Sequence, residues 1–154
     1  MSDTLPGRRT PIAIGADHAG YALKEDLRRA LEEEGYEFHD FGTFSTDRVD
    51  YPDIGKAVAE AVAAEQFDKA ILICGTGIGM SITANKINGV RAGAVSEPYS
   101  AMMARMHNNA NVICMGGRVV GLGLAIEIAK AFLESNFEGG RHAGRVDKIN
   151  ALDK

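Results

Sequence analysis

Short apolar runs of strand length alternate with longer amphipathic segments along almost the whole chain, and this alternation constrains the fold more than any other feature. Pro11-Ile12-Ala13-Ile14-Gly15-Ala16 reads as a buried strand. Tyr21 to Glu34 follows as a helix, with Leu23, Leu27, Ala30 and Leu31 at helical spacing and Gly35 as its stop. Tyr36 to Asp40 is a short second strand, Phe41 to Asp50 a polar loop, and Tyr51-Pro52-Asp53 opens an alanine-rich helix to about Glu65. Ala70-Ile71-Leu72-Ile73-Cys74 is the clearest strand, being continuously apolar and β-branched. Gly75 to Gly79 turns out of it into a helix over Met80 to Lys86. Val90 to Val95 is a fourth strand, followed by a helix with Ser96 as N-cap and Pro98 in its first turn, ending near His107-Asn108-Asn109. Asn111 to Met115 is the fifth strand, Gly121 to Ser135 a helix, and Arg141 to about Leu152 a terminal helix. Parallel neighbours need crossover helices, and right-handed crossovers cover both faces. The expected class is therefore α/β, a doubly wound five-stranded parallel sheet with helices on both faces and a C-terminal helix.

A chain of 154 residues holds one domain with a full core and is short for two. Residues 11–154 are expected to form that domain, with residues 1–10 as a flexible tail. The tail is polar, with Pro6 and Gly7, and offers no apolar core for a signal peptide. No apolar stretch approaches the roughly 18 residues of a membrane span. A net charge of -4 argues against a nucleic-acid footprint, which needs a basic surface. Cys74 and Cys114 show no metal-ligand spacing and sit in apolar runs, so reduced thiols and a cytoplasmic location are expected.

In an open parallel sheet, ligands bind beyond the carboxyl ends of the strands. Those ends carry Asp17-His18, Cys74 with its glycines, Ser96-Glu97 and Gly116-Gly117-Arg118. Three alternating glycines in Gly75-Thr76-Gly77-Ile78-Gly79 let backbone N–H groups turn toward one anionic atom, aided by the start of the next helix. The spacing is neither the dinucleotide pattern nor a Walker loop. An anion hole for phosphate, carboxylate or enediolate fits it better, and a purely structural turn also fits. A thiol at a strand end beside a helix N-terminus is a usable base or nucleophile; Cys74 is equally readable as a small hydrophobe closing the strand. Cys114, inside its strand, reads as structural. Asp17 and His18 read as a carboxylate orienting an imidazole, or as caps of the first helix. His107 reads as a proton donor and acceptor or as a solvated helix end. Arg141 and Arg145, four apart, share one helix face and can address one phosphate; a solvated basic face is the plain alternative.

Asp17-His18-Ala19-Gly20, Cys74 to Gly79, Ala84-Asn85-Lys86, Ser96 to Ser100, His107-Asn108, Gly117 to Val120 and Glu138-Gly139-Gly140-Arg141-His142 with Arg145-Val146 stand in this order and spacing between Ile12 and about Ala151. Together they resemble the ribose-5-phosphate isomerase B family, which also holds the galactose-6-phosphate isomerase subunits. The resemblance implies a Rossmann-like sheet, a homodimer (dimer or tetramer left open) with sites built partly across the interface, and neither metal nor organic cofactor. It implies an aldose–ketose isomerase in which Cys74 moves a proton between C2 and C1 of ribose 5-phosphate. Thr76 and the amides of Gly75, Gly77, Ile78 and Gly79 would stabilise the enediolate. His107 would open the sugar ring, and Asp17 and Asn108 would bind hydroxyls. His18, Arg118, Arg141 and Arg145 would surround the phosphate, with His142 assisting. One branch of the family places a glutamate where this chain has Met80, which assigns the chain to the cysteine branch. Alternatives are another aldose phosphate (tetrose, allose or galactose) and a non-catalytic sugar-phosphate binder.

Overall fold

All strand pairs run parallel, in the order β2-β1-β3-β5-β4. The computed structural model describes residues 10–154, so the expected tail lies outside the described residues except for Thr10. The elements are β1 (Ile12–Ala16), α1 (Tyr21–Glu33), β2 (Phe38–Asp40), α2 (Tyr51–Ala63), β3 (Ala70–Cys74), α3 (Ile78–Asn85), β4 (Ala92–Ala94), α4 (Pro98–Met106), β5 (Val112–Gly116), α5 (Leu122–Leu133) and α6 (Arg141–Asn150). The sequence-based class is met: five parallel strands, helices on both faces and a terminal helix.

The two-residue period of each strand sorts its side chains into two apolar layers. Ile12, Ile14, Ile71, Ile73, Ile113 and Met115 meet Leu23, Leu27 and Leu31 of α1, Ala101 and Ala104 of α4, and Ile128 and Phe132 of α5. Ala13, Leu72, Cys74, Val112 and Cys114 face the other way, onto Val58, Ala59 and Val62 of α2 and Met80 and Ala84 of α3. Both faces are covered, which is why the central strands read as unbroken apolar runs. Burying a side chain such as Ile71 or Leu72 completely contributes about 1.5–3 kcal/mol. Cys114 is wholly buried, and burial, with Cys74 as a second cause, pushes its thiol far above the usual range. The structural reading of Cys114 agrees with this.

Several boundaries differ from the sequence reading. The α4 cap is Glu97 rather than Ser96: its carboxylate accepts from the Ser100 amide at 3.0 and 3.1 Å, reaching the same orphan donor with a longer side chain. Helix α3 starts at Ile78, two residues before Met80, because Gly77 already turns the chain with φ +85°. β4 keeps only three of the expected six residues, since Val90 donates to Ile87 O and the Arg91 amide donates to Asn111 Oδ1. Gly35 does stop α1, in the left-handed region at φ +96°, and Tyr36 then bonds back to Leu31 O at 3.1 Å, so β2 begins later than Tyr36. The far end of α6 is tied beside β4, where Asp153 accepts from Gly89 N at 2.8 Å and Asn150 from Arg91 at 3.2 Å. Among the described residues no helix is long and apolar enough to cross a membrane.

Candidate active site

The carboxyl ends of β1, β3 and β5 are stitched together by backbone. Gly117 N donates to Cys74 O at 2.7 Å and Arg118 N to Gly75 O at 3.1 Å, while Asp17 N donates to Ile73 O at 3.2 Å. Such close approach requires glycine at Gly77, where a Cβ would lie 2.9 Å from the Met115 backbone in a left-handed conformation. At Gly79 a Cβ would meet the Tyr51 ring at 2.5 Å, so the first turn of α2 rests directly on the glycine loop. The loop is both a structural turn and a candidate anion site.

Within it, Cys74 ends β3 with 4% exposure, and its Sγ accepts the Gly77 amide at 3.2 Å. Thr76 is exposed, and its Oγ1 accepts from Ile78 N at 3.2 Å. Two of the amides expected to face an anion, those of Gly77 and Ile78, are therefore turned onto the side chains of Cys74 and Thr76. Beside the loop, Asp17, His18, Arg48, Tyr51 and Arg118 line a cavity of about 570 Å³, within the size range of small-molecule sites. Arg118 spans the two features, since its Nη1 stands 3.5 Å from where a Gly75 Cβ would be.

Asp17 is buried, and one oxygen, Oδ1, accepts from Ala19 N and Gly20 N at 3.0 Å each. Asp17 thus closes the turn ahead of α1 rather than capping the helix itself, whose N-cap is Gly20 without a side-chain bond. His18 is fixed through Nδ1, which lies 3.2 Å from both the N and the O of Val49. Val49 belongs to the loop after β2, which is clipped to β1 by Ala16 N to Gly42 O and Thr43 N to Ala16 O, both 2.7 Å.

The remaining candidates gather elsewhere. His107 caps the end of α4, and its ring stacks on that of His142 at 4.1 Å, 11° from parallel. Arg141 and Arg145 are exposed on the same helix start as buried His142. Desolvation first, then the charges of His107 and Arg141, lower the His142 pKa, with Glu138 opposing. Asn108 lines a separate cavity of about 460 Å³ between β4 and α6, away from the glycine loop. Among the described residues no hydrogen bond, ion pair or ring contact joins this second group to the first. Within one chain the candidates thus fall into two separate groups.

Comparison with known proteins decides the family. The Ribose/Galactose Isomerase family matches residues 12–149. Ribose-5-phosphate isomerase B of Escherichia coli (strain K12) is 51% identical over 143 residues, covering 93% of this chain and 96% of that one. The chain belongs to the ribose/galactose isomerase family. The structure of Clostridium thermocellum ribose-5-phosphate isomerase B is similar with a TM-score of 0.90 at 50% identity, over 93% of this chain and 97% of that one. D-erythrulose-4-phosphate isomerase of Pectobacterium atrosepticum is 45% identical over 139 residues, covering 90% and 91%. The resemblance drawn from the motifs holds, and with it the enzyme class: an aldose–ketose isomerase.

For this member of the ribose/galactose isomerase family, two residues without an expected role stand beside these groups. Arg48 lines the strand-end cavity from the loop after β2. Glu138 sits with one oxygen 3.5 Å from His142 Nε2 and 3.9 Å from His107 Nε2. Its four-residue spacing from His142 was the available signal.

Proposed function

We propose that the chain interconverts D-ribose 5-phosphate and D-ribulose 5-phosphate through an enediolate, as a homodimer in the cytoplasm. The observation that carries this is Cys74: a thiol held by a backbone amide at a strand end, followed by Gly75, which packs against Arg118, a wall residue with His18 of a cavity of sugar-phosphate size. His107 opens the sugar ring. Cys74 then removes the proton from C2 of the aldehyde form, leaving an enediolate whose oxygen is met by Thr76 and the amides of Gly75 and Gly79. The proton returns to C1 while the proton of the C2 hydroxyl passes to the oxygen on C1, so C1 ends as an alcohol carbon and C2 as the carbonyl, with no net oxidation. A base poised at carbon and donors placed where charge develops are what such a step requires. Low exposure at Cys74 suits it, because water would quench the intermediate.

The phosphate is the remote handle that holds the reacting carbons in place, gripped by His18, Arg118, Arg141 and Arg145 with His142 assisting. Asp17 and Asn108 bind hydroxyls. Since the two groups do not meet within one chain, the reading places His107, Asn108, Arg141 and Arg145 of one copy over Cys74 of another. Exposed Ile78 and Ile82, one turn apart on α3 at 56% and 59%, support an apolar contact between copies there. Two free cysteines fit a reducing compartment.

The relative named for D-erythrulose 4-phosphate favours a second reading, a tetrose phosphate on the same chemistry. Comparing kcat/KM for four-, five- and six-carbon aldose phosphates tests both. The five-carbon substrate is expected to lead; a tenfold preference for another length overturns the choice of ribose.

A further inference from the structure

Glu138 donates its backbone N–H to Met106 O at 3.0 Å, which fixes its carboxylate beside the end of α4. Its Oε1 lies 3.5 Å from Nε2 of His142 and 3.9 Å from Nε2 of His107, and one ligand atom from each of the three residues lies within 4.8 Å of the others. His142 is 6% exposed, and its Nε2 is shielded from solvent without a hydrogen-bond partner among the described residues. A buried polar nitrogen left unpaired is costly and calls for an explanation.

Two imidazoles and a carboxylate form a donor set for borderline first-row cations, with one coordination position left for water. Metal–donor bonds of about 2.0–2.2 Å in a tetrahedron set the donors about 3.4 Å apart. The carboxylate-to-imidazole separations of 3.5 and 3.9 Å are near that value. One movement is needed: the stacked rings carry their in-plane lone pairs side by side, so one must tilt. His107, 35% exposed at a helix end, is the ring with room to do so. Arg141 and Arg145 oppose a cation here. The donor set, two imidazoles and a single carboxylate, selects against magnesium or calcium, which depend on several oxygen ligands.

We propose that Glu138, His107 and His142 form a weak binding site for zinc and related first-row cations, and that its occupancy inhibits isomerisation by taking the His107 nitrogen that opens the sugar ring. The binding half is independent of the catalytic reading; the inhibition half rests on it.

Calorimetric titration of the wild-type full chain with zinc chloride in metal-free buffer tests the site. One zinc per chain is expected, weakened about tenfold or more in Glu138→Gln and unchanged in Cys74→Ser. His142→Gln serves as a second variant, with circular dichroism showing that each is folded. Cobalt(II) should give imidazole and carboxylate bands without a thiolate charge-transfer band. Zinc should inhibit the wild type reversibly, EDTA should restore it, and Glu138→Gln, measured against its own zinc-free rate, should need about tenfold more zinc for the same fractional inhibition. Absence of stoichiometric binding, equal affinity in folded Glu138→Gln, or a thiolate band lost in Cys74→Ser overturns the site. Binding as described with undiminished turnover overturns the link to His107 while the site stands.

Discussion

Gly77 donates its backbone N–H to the sulfur of Cys74 at 3.2 Å, so the left-handed turn that starts α3 also aims the thiol. A serine oxygen can accept the same amide and preserve the loop, but it is a far poorer base toward carbon. Cys74→Ser should therefore lower kcat by about 10²- to 10⁴-fold. Affinity for a non-isomerisable alditol phosphate, measured by calorimetry, should stay within about twofold, since the phosphate contacts are untouched. Turnover at the wild-type level would show that the sulfur is only a buried hydrophobe.

The separation of Cys74 from His107 within a chain yields a mixing prediction. Cys74→Ser and His107→Asn are each expected to be inactive alone. Unfolded together and refolded, half the dimers are hybrids carrying one intact site of two, so about a quarter of wild-type activity should return. If the mixture stays dead while native dimers form, both groups act within one chain and the proposed pairing of copies fails.

How much of this was readable beforehand depended on whether a residue's role is local. Gly35, Gly77 and the apolar strands act through their own backbone or period, and the order of elements followed from them. The glycine loop carried its own signal for the same reason. Partnerships across the chain left none. Nothing near His107 announces His142, and nothing around Leu23 and Leu27 says that Lys24 is fully buried. The cap at Glu97 was missed because serine is the commoner solution at that turn, although a glutamate carboxylate reaches the same amide. β4 was read too long because apolar residues at its start serve a turn rather than the ladder.

Arg141 and Arg145 lie four apart and exposed on the first turns of α6, and the proposed function has them grip the phosphate. Replacing either with alanine should raise KM for ribose 5-phosphate about tenfold, with a smaller effect on kcat. Inorganic phosphate should lose inhibitory strength in parallel. Unchanged KM in both variants would remove the clamp.

Lys24 is buried on the apolar side of α1, with its ammonium 2.6 and 2.8 Å from the two oxygens of Asp40 and 2.9 Å from Glu25. Asp40 Oδ1 also accepts from Gly42 N at 2.8 Å, so the pair anchors the loop that reaches His18. Asp40→Ala leaves Lys24 with Glu25 alone and frees Gly42 N, and should cost about 2 kcal/mol in denaturant unfolding. The double replacement Lys24→Met with Asp40→Leu should cost much less than the two single changes summed, because no charge is then stranded. Acid behaviour separates the charge effect from packing. Burial raises the Glu25 carboxyl, but hydrogen bonds from Lys24 and Arg28 outweigh it and hold the group below its usual range. A depressed carboxylate contributes stability above its unfolded value of about 4.3, and that contribution is lost as pH falls through the lower folded value. Melting temperature should therefore drop more steeply below about pH 4.3 in the wild type than in the double variant. Parallel acid curves, with Asp40→Ala as stable as the wild type, would reduce Lys24 to packing alone.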